Sequence, residues 1–96
     1  MQVRWSPDAA ADLEQIVEYI RKGNPGAAQG VAQTIYERAG GLGVFPNRGR
    51  QGRVQGTREL AVSPLPFIII YRIVERLDAV EIVNVIHGAR RWPVLA

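Results

Sequence analysis

The sequence predicts an α+β domain: an N-terminal strand and a two-helix hairpin packed on a twisted antiparallel sheet, in the order β-α-α-β-β-β. Three observations carry this. Two stretches before residue 43 place apolar side chains at helical spacing, each opened by a proline and closed by glycine. Three runs after residue 56 are rich in β-branched and other apolar residues and are joined by short turn-forming links. The chain has 96 residues, enough for one domain spanning 1–96 with a single core of two packed layers.

Each element has a local cause. Gln2-Val-Arg-Trp5 reads as a short first strand. Ser6-Pro7-Asp8 then opens a helix: Ser6 caps, Pro7 fits the first helical position, and Asp8 suits the positive end of the helix dipole. Leu13, Ile16, Val17 and Ile20 form its apolar stripe, and it stops near Gly23-Asn24. Asn24-Pro25 repeats the cap-plus-proline signal, and a second helix runs on to the glycines at 40, 41 and 43. The tight Gly-Asn link makes the pair an antiparallel hairpin. Residues 47–56 read as a loop bearing Arg48, Arg50 and Arg53. Residues 57–62 form a strand with Leu60 and Val62 on one face. Phe67 to Val74 is apolar on both faces except at Arg72, which marks a central strand. A hairpin turn over 75–78 leads to the last strand, 80–86. The pattern leaves open whether the first strand joins the sheet at an edge or in its middle.

Composition removes several functions. The sequence holds no cysteine, which suits a reducing cytoplasm and excludes a disulfide framework and a thiolate nucleophile. A lone histidine, His87, builds no zinc site of the usual kind, so no metal and no cofactor is expected. Ser6 and Ser63 each precede a proline in a turn, which argues against a serine nucleophile. Gly40-Gly-Leu-Gly43 ends a helix instead of opening one, unlike a phosphate-binding loop. The longest wholly apolar run, Leu65 to Tyr71, is far too short to span a bilayer, and nothing reads as a signal peptide. A cytoplasmic protein with no membrane role is expected.

The charge is one-sided. Residues 1–47 carry four basic and five acidic side chains, whereas 48–96 carry eight basic and four acidic. The positive excess is arginine, which binds phosphate or carboxylate through paired hydrogen bonds and stacks on planar rings. The candidate target-binding set is Arg50, Arg53, Arg58, Arg72, His87, Arg90, Arg91 and Trp92, with Arg48 beside it. Arg72 lies on an apolar strand face and calls for a carboxylate partner, with Glu59, Glu75 and Glu81 as candidates. His87 closes its strand beside Gly88, where it is either a structural histidine or a general base or phosphate ligand. Trp92 before Pro93 either anchors the tail or offers a stacking surface.

Taken together, Arg4-Trp-Ser-Pro-Asp-Ala-Ala10, the helical hairpin, Gly49-Arg50, Gly56-Thr-Arg-Glu-Leu60, Tyr71-Arg-Ile73 and His87-Gly-Ala-Arg-Arg-Trp-Pro93 resemble the RelE/ParE superfamily of bacterial type II toxins. The resemblance covers nearly the whole chain and implies a toxin neutralised by a small antitoxin, ParD-like or related, in a hetero-oligomer. It implies two possible activities: cutting messenger RNA at the ribosome (RelE-like) or inhibiting DNA gyrase and replication (ParE-like), the latter linked to plasmid stabilisation. The RelE-like nucleases resemble one another in a basic residue shortly before the central-strand tyrosine, lysines or glutamate on the preceding strand, and a tyrosine near the C-terminus. Here Ile68 stands at the first place, Glu59 and Ala61 at the second, and no tyrosine follows His87. A nuclease on this chain would rest on Arg58, His87 and Arg90. RNA cleavage by a 2′-hydroxyl needs an acid, a base and cationic stabilisation of the phosphate, and His87 alone would have to move the protons.

The expected function is therefore gyrase inhibition by binding, without catalysis, and the alternative is a ribosome-dependent endonuclease. A plain nucleic-acid-binding domain is disfavoured because neither helix carries a basic recognition face. For the antitoxin, the resemblance suggests docking on the hairpin and an adjoining sheet face, with Leu13, Val17, Ile20, Val31, Ile35 and Tyr36 as contacts.

Overall fold

The computed structural model describes residues 1–88; Arg90, Arg91 and Trp92 lie outside the described residues. The elements are β1 (Gln2–Trp5), α1 (Pro7–Gly23), α2 (Pro25–Gly41), β2 (Arg50–Gln51), β3 (Arg58–Ala61), β4 (Phe67–Val74), a 3-10 turn (Glu75–Leu77) and β5 (Ala79–His87). They form five strands in the order β1-β5-β4-β3-β2, with the two helices packed on one face.

Both helices begin and end where their punctuation predicts. At the start of α1, the Ser6 hydroxyl accepts from the Ala9 N–H at 3.0 Å and donates to the Val83 carbonyl at 3.0 Å. One side chain thus caps the helix and fastens it to the sheet. Asn24 behaves differently: it sits at the N-terminus of α2 without a side-chain cap bond. The chain reverses between Val74 and Ala79 through Asp78, which takes the left-handed conformation at φ 49°.

The sheet departs from the expectation in two respects. It is mixed, because β1 lies parallel to β5 at the edge, pairing Val3 with Val80 and Trp5 with Ile82. The antiparallel expectation rested on strands linked by hairpins, and β1 has no such link. Its direction follows from where α1 must start: Ser6 N–H donates to Ile82 O at 3.0 Å, which sets the helix origin at the middle of β5. The second departure is β2, a two-residue strand inside the expected loop, paired antiparallel with β3.

The core lies between helices and sheet. Ile35 and Ala39 of α2, Leu42 just after it and Ala9 of α1 meet Leu60, Val62, Phe67, Ile69, Tyr71, Val80, Ile82 and Val85. The register slips between Ile70 and Tyr71, which face Asn84 and Ile82, so Val83 is one extra residue in β5. The bulge turns Val85 back to the helices. Asp12 of α1 secures it: its Oδ2 accepts from Asn84 Nδ2 at 2.8 Å and from the Val85 N–H at 3.0 Å. No helix among the described residues is long and apolar enough to cross a membrane.

Candidate functional site

Strand alternation divides the basic residues between two faces. Arg50 and Arg72 lie on the outer face, away from the helices, and each is opposed across the strands by a glutamate. Arg50 faces Glu59 in the β2–β3 register and its Nη2 reaches Glu59 Oε1 at 3.1 Å. Arg72 faces Glu81 in the β4–β5 register and its Nε reaches Glu81 Oε1 at 2.6 Å. Arg72 thus has a carboxylate partner as its strand position requires, and of the three candidates it is Glu81. Both pairs are cross-strand neighbours, the arrangement that stabilises sheets most directly.

Glu59 is buried, with 8% of its side chain exposed, and is fully engaged. Its second oxygen accepts from the Arg53 N–H at 3.3 Å. A buried carboxylate requires such partners, since ionising it alone in the interior is costly. The Arg53 side chain is exposed.

Arg58 lies on the other face, beside Tyr71 across the strands. Its Nη1 donates to Gly49 O at 2.6 Å and lies 3.5 Å from Asn47 O. The Tyr71 side chain is fully buried; its hydroxyl donates to Pro46 O at 2.7 Å and accepts from the Gly49 N–H at 2.9 Å. Gly49 is required there: a Cβ would stand 2.7 Å from the Tyr71 oxygen. Arg58 and Tyr71 therefore act on the backbone of the segment from Pro46 to Gly49. The residues that fix this segment are those that residue type alone does not reveal. A usable signal exists: parity with Leu60 separates Arg58 from Glu59.

His87 ends β5 at the far side of the fold from β2. Its ring stands edge-on to Phe67, with centroids 5.9 Å apart. Together Arg50, Arg58 and Arg72 do not converge with His87 on one centre: two are ion-paired on the outer face, one binds backbone carbonyls on the helix side, and His87 lies near α1. Among the described residues no group of three or more His, Cys, Asp or Glu side chains is placed to hold a metal.

Two apolar grooves flank α1. One, about 710 Å³, is lined by Trp5, Leu13, Val17, Ala32 and Tyr36, with Glu14, Glu18 and Arg21 at its margin. The Trp5 and Tyr36 rings stack there, 5.9 Å apart at 13°, and Tyr36 remains 63% exposed. The other, about 760 Å³, lies between α1 and the start of β4 and includes Ile16, Tyr19, Ile20, Val31, Phe67 and His87. Of the six expected antitoxin contacts, Leu13, Val17 and Tyr36 fall in the first groove, and Ile20 and Val31 in the second. Ile35 is fully buried in the core and offers no surface; helical spacing alone does not separate the inward from the outward edge of an apolar stripe.

A third concavity, about 460 Å³, opens where Arg48, Arg50, Glu59, Ala61 and Ile68 meet. Its composition is informative, because Ala61 and Ile68 are positions at which the sequence departs from the nuclease pattern, and Glu59 is already paired with Arg50.

A helical hairpin on an open mixed sheet, with apolar grooves along the hairpin and paired charges on the outer face, fits the RelE/ParE architecture that the motifs suggest. A family model, the ParE toxin of the parDE type II toxin–antitoxin system, matches residues 3–92. The chain is 39% identical over 92 residues to the putative toxin Y4kP of Sinorhizobium fredii, covering 96% of this chain and 93% of that protein. It is 40% identical over 89 residues to toxin RelE2 of Caulobacter vibrioides, covering 93% and 97%. Among solved structures it is similar to the chromosomal ParDE system of P. aeruginosa, with a TM-score of 0.81, 27% identity and coverage of 91% and 95%. The RelBE2 toxin–antitoxin complex of Mycobacterium tuberculosis gives a TM-score of 0.68, 26% identity and coverage of 93% and 92%. The chain belongs to the ParE toxin family of type II toxin–antitoxin systems, within the RelE/ParE superfamily.

Proposed function

We propose that this toxin acts in the cytoplasm by binding and inhibiting DNA gyrase, without cutting RNA, and that a cognate antitoxin neutralises it. The observation that carries this reading is the concavity at Arg50, Glu59, Ala61 and Ile68. Where the superfamily's nucleases resemble one another in a basic residue before the central tyrosine and in lysines or glutamate on the preceding strand, this site presents Ile68 and Ala61, and its one glutamate, Glu59, is already held by Arg50 and the Arg53 N–H. Ion-paired arginines and backbone-bound Arg58 supply no proton transfer, and RNA cleavage needs an acid and a base. Arginines on the outer face and at 50–53, together with His87 and the Arg90-Arg91-Trp92 tail, serve as contacts to the target.

The antitoxin reading is supported by the two grooves beside α1, which hold five of the expected contacts, and by the neighbouring ParDE and RelBE2 systems. Amphipathic segments dock in such grooves through apolar anchors at helical spacing. A second reading, ribosome-dependent cleavage of messenger RNA, is favoured by the likeness to toxin RelE2; it would use Arg58, His87 and Arg90.

Expression of the toxin alone separates the two. Gyrase inhibition predicts a DNA-damage response with protein synthesis continuing. Immediate translation arrest with cuts at codon-spaced positions in messages would overturn it.

A further inference from the structure

The segment that joins α2 to β3 is fixed in a way its own packing does not require. Val44 and Phe45 are 73% and 55% exposed, so the apolar tip buries little of itself. The Arg48 guanidinium lies 5.1 Å over the Phe45 ring. Behind this tip the backbone is held at Pro46 and Gly49 by the fully buried Tyr71, at Gly49 by Arg58, and at Arg53 by the buried Glu59. Three side chains thus lock, through four hydrogen bonds, a loop whose exposed side chains gain nothing from being locked unless something binds them. A loop ordered during folding loses no further backbone entropy on binding, which is the advantage of preorganisation.

We propose that the Val44–Arg53 loop is a preformed recognition element for the toxin's target, and that its occupant is an acidic protein surface with an apolar pocket. This rests on the gyrase reading and adds the surface through which gyrase is gripped. The charge of the segment selects the partner's sign: Arg48, Arg50 and Arg53 stand against Glu59 alone, and the Arg50 side chain stays 74% exposed despite its ion pair. The tip selects the partner's class. Val44 is the most exposed large apolar residue there, and an aliphatic side chain fits a protein pocket but offers no ring to stack on a base. Phe45, capped by Arg48, supplies the aromatic and guanidinium combination that dominates protein interfaces. The concavity at the tip, formed by residues 44–48, shares no residue with either groove beside α1. This loop and the antitoxin grooves are therefore different parts of the toxin.

The test uses the full-length toxin, a Val44→Ser/Phe45→Ser double variant and a separate Arg48→Glu variant. Each is assayed for inhibition of gyrase supercoiling, antitoxin affinity, duplex-DNA affinity and thermal stability. The proposal predicts that half-inhibition by either variant needs at least about tenfold more toxin, as expected for interface anchors. Antitoxin affinity and melting temperature stay at wild-type values. Undiminished inhibition by both variants overturns the proposal while leaving gyrase as the target. An equal loss of antitoxin and gyrase binding also overturns it, since the loop would then belong to a shared face. A loss confined to salt-sensitive DNA binding assigns the loop to nucleic acid instead. A wild-type toxin that fails to inhibit gyrase defeats the gyrase assignment itself, and that outcome is distinct from failure of the variants alone.

Discussion

The hairpin side and the arginine-loop side of this toxin are held by different forces. Around α1 and α2 the contacts are apolar: Ala9, Ile35, Ala39 and Leu42 are fully buried, and the grooves beside α1 are lined mainly by carbon. At the other side, residues 46–53 are positioned by polar bonds from Tyr71, Arg58 and Glu59. Apolar contact is non-directional and tolerates a repacked partner. Hydrogen bonds fix geometry, and losing one partner leaves the other buried and unsatisfied. The first side is suited to an amphipathic antitoxin segment, and the second to presenting a fixed set of side chains.

Four substitutions probe that contrast, in decreasing order of expected effect. Ile35→Ala opens a cavity in the apolar half. It should cost about 3 kcal/mol, within the range for such truncations, and lower the melting temperature by roughly 12–24 °C. A drop of only a few degrees in calorimetry would mean that the hairpin is not held by this core. Tyr71→Phe removes one oxygen and leaves the Gly49 N–H and Pro46 carbonyl without it. The expected cost is about 2 kcal/mol, accompanied by weaker gyrase inhibition and unchanged antitoxin affinity. Equal loss of both binding activities would erase the distinction between the two sides. Val17→Asp places a charge in the Trp5–Tyr36 groove and should weaken antitoxin binding by about tenfold or more, as titration calorimetry would show. Gyrase inhibition by the free variant should hold. Arg72→Gln breaks a half-exposed pair, so denaturant unfolding should register about 1 kcal/mol or less. A larger loss would show that the outer face contributes more to stability than exposed ion pairs do.

The sequence reveals the helices better than the sheet, and the sheet better than the site. Ser6-Pro7 and Gly23-Asn24-Pro25 act through bonds within a few residues, so their meaning is local and survives into the fold. The direction of β1 depends on where Ser6 meets Ile82 and Val83, a contact across 77 residues in the case of Val83 that no local pattern encodes. β2 has two residues and therefore no period to read. Arg72 shows the intermediate case. Its position on an apolar strand requires a carboxylate, but only the β4–β5 register selects Glu81. Arg58 shows the limit: composition groups it with Arg50 and Arg53, and strand parity sends it to the opposite face, where it binds backbone. Tyr71 is concealed by its neighbours. In a run of Ile and Val its ring reads as core, and its hydroxyl gains a role only once Pro46 and Gly49 fold over it.

Gyrase supercoiling with purified enzyme and purified toxin, read beside cleavage of messenger RNA in a reconstituted translation reaction, tests the central claim most directly. A non-catalytic gyrase inhibitor predicts inhibition that scales with the amount of toxin bound to gyrase, is reversed by antitoxin, and leaves the message intact. Full supercoiling activity in the presence of excess toxin, together with cuts in the translated message, would contradict it.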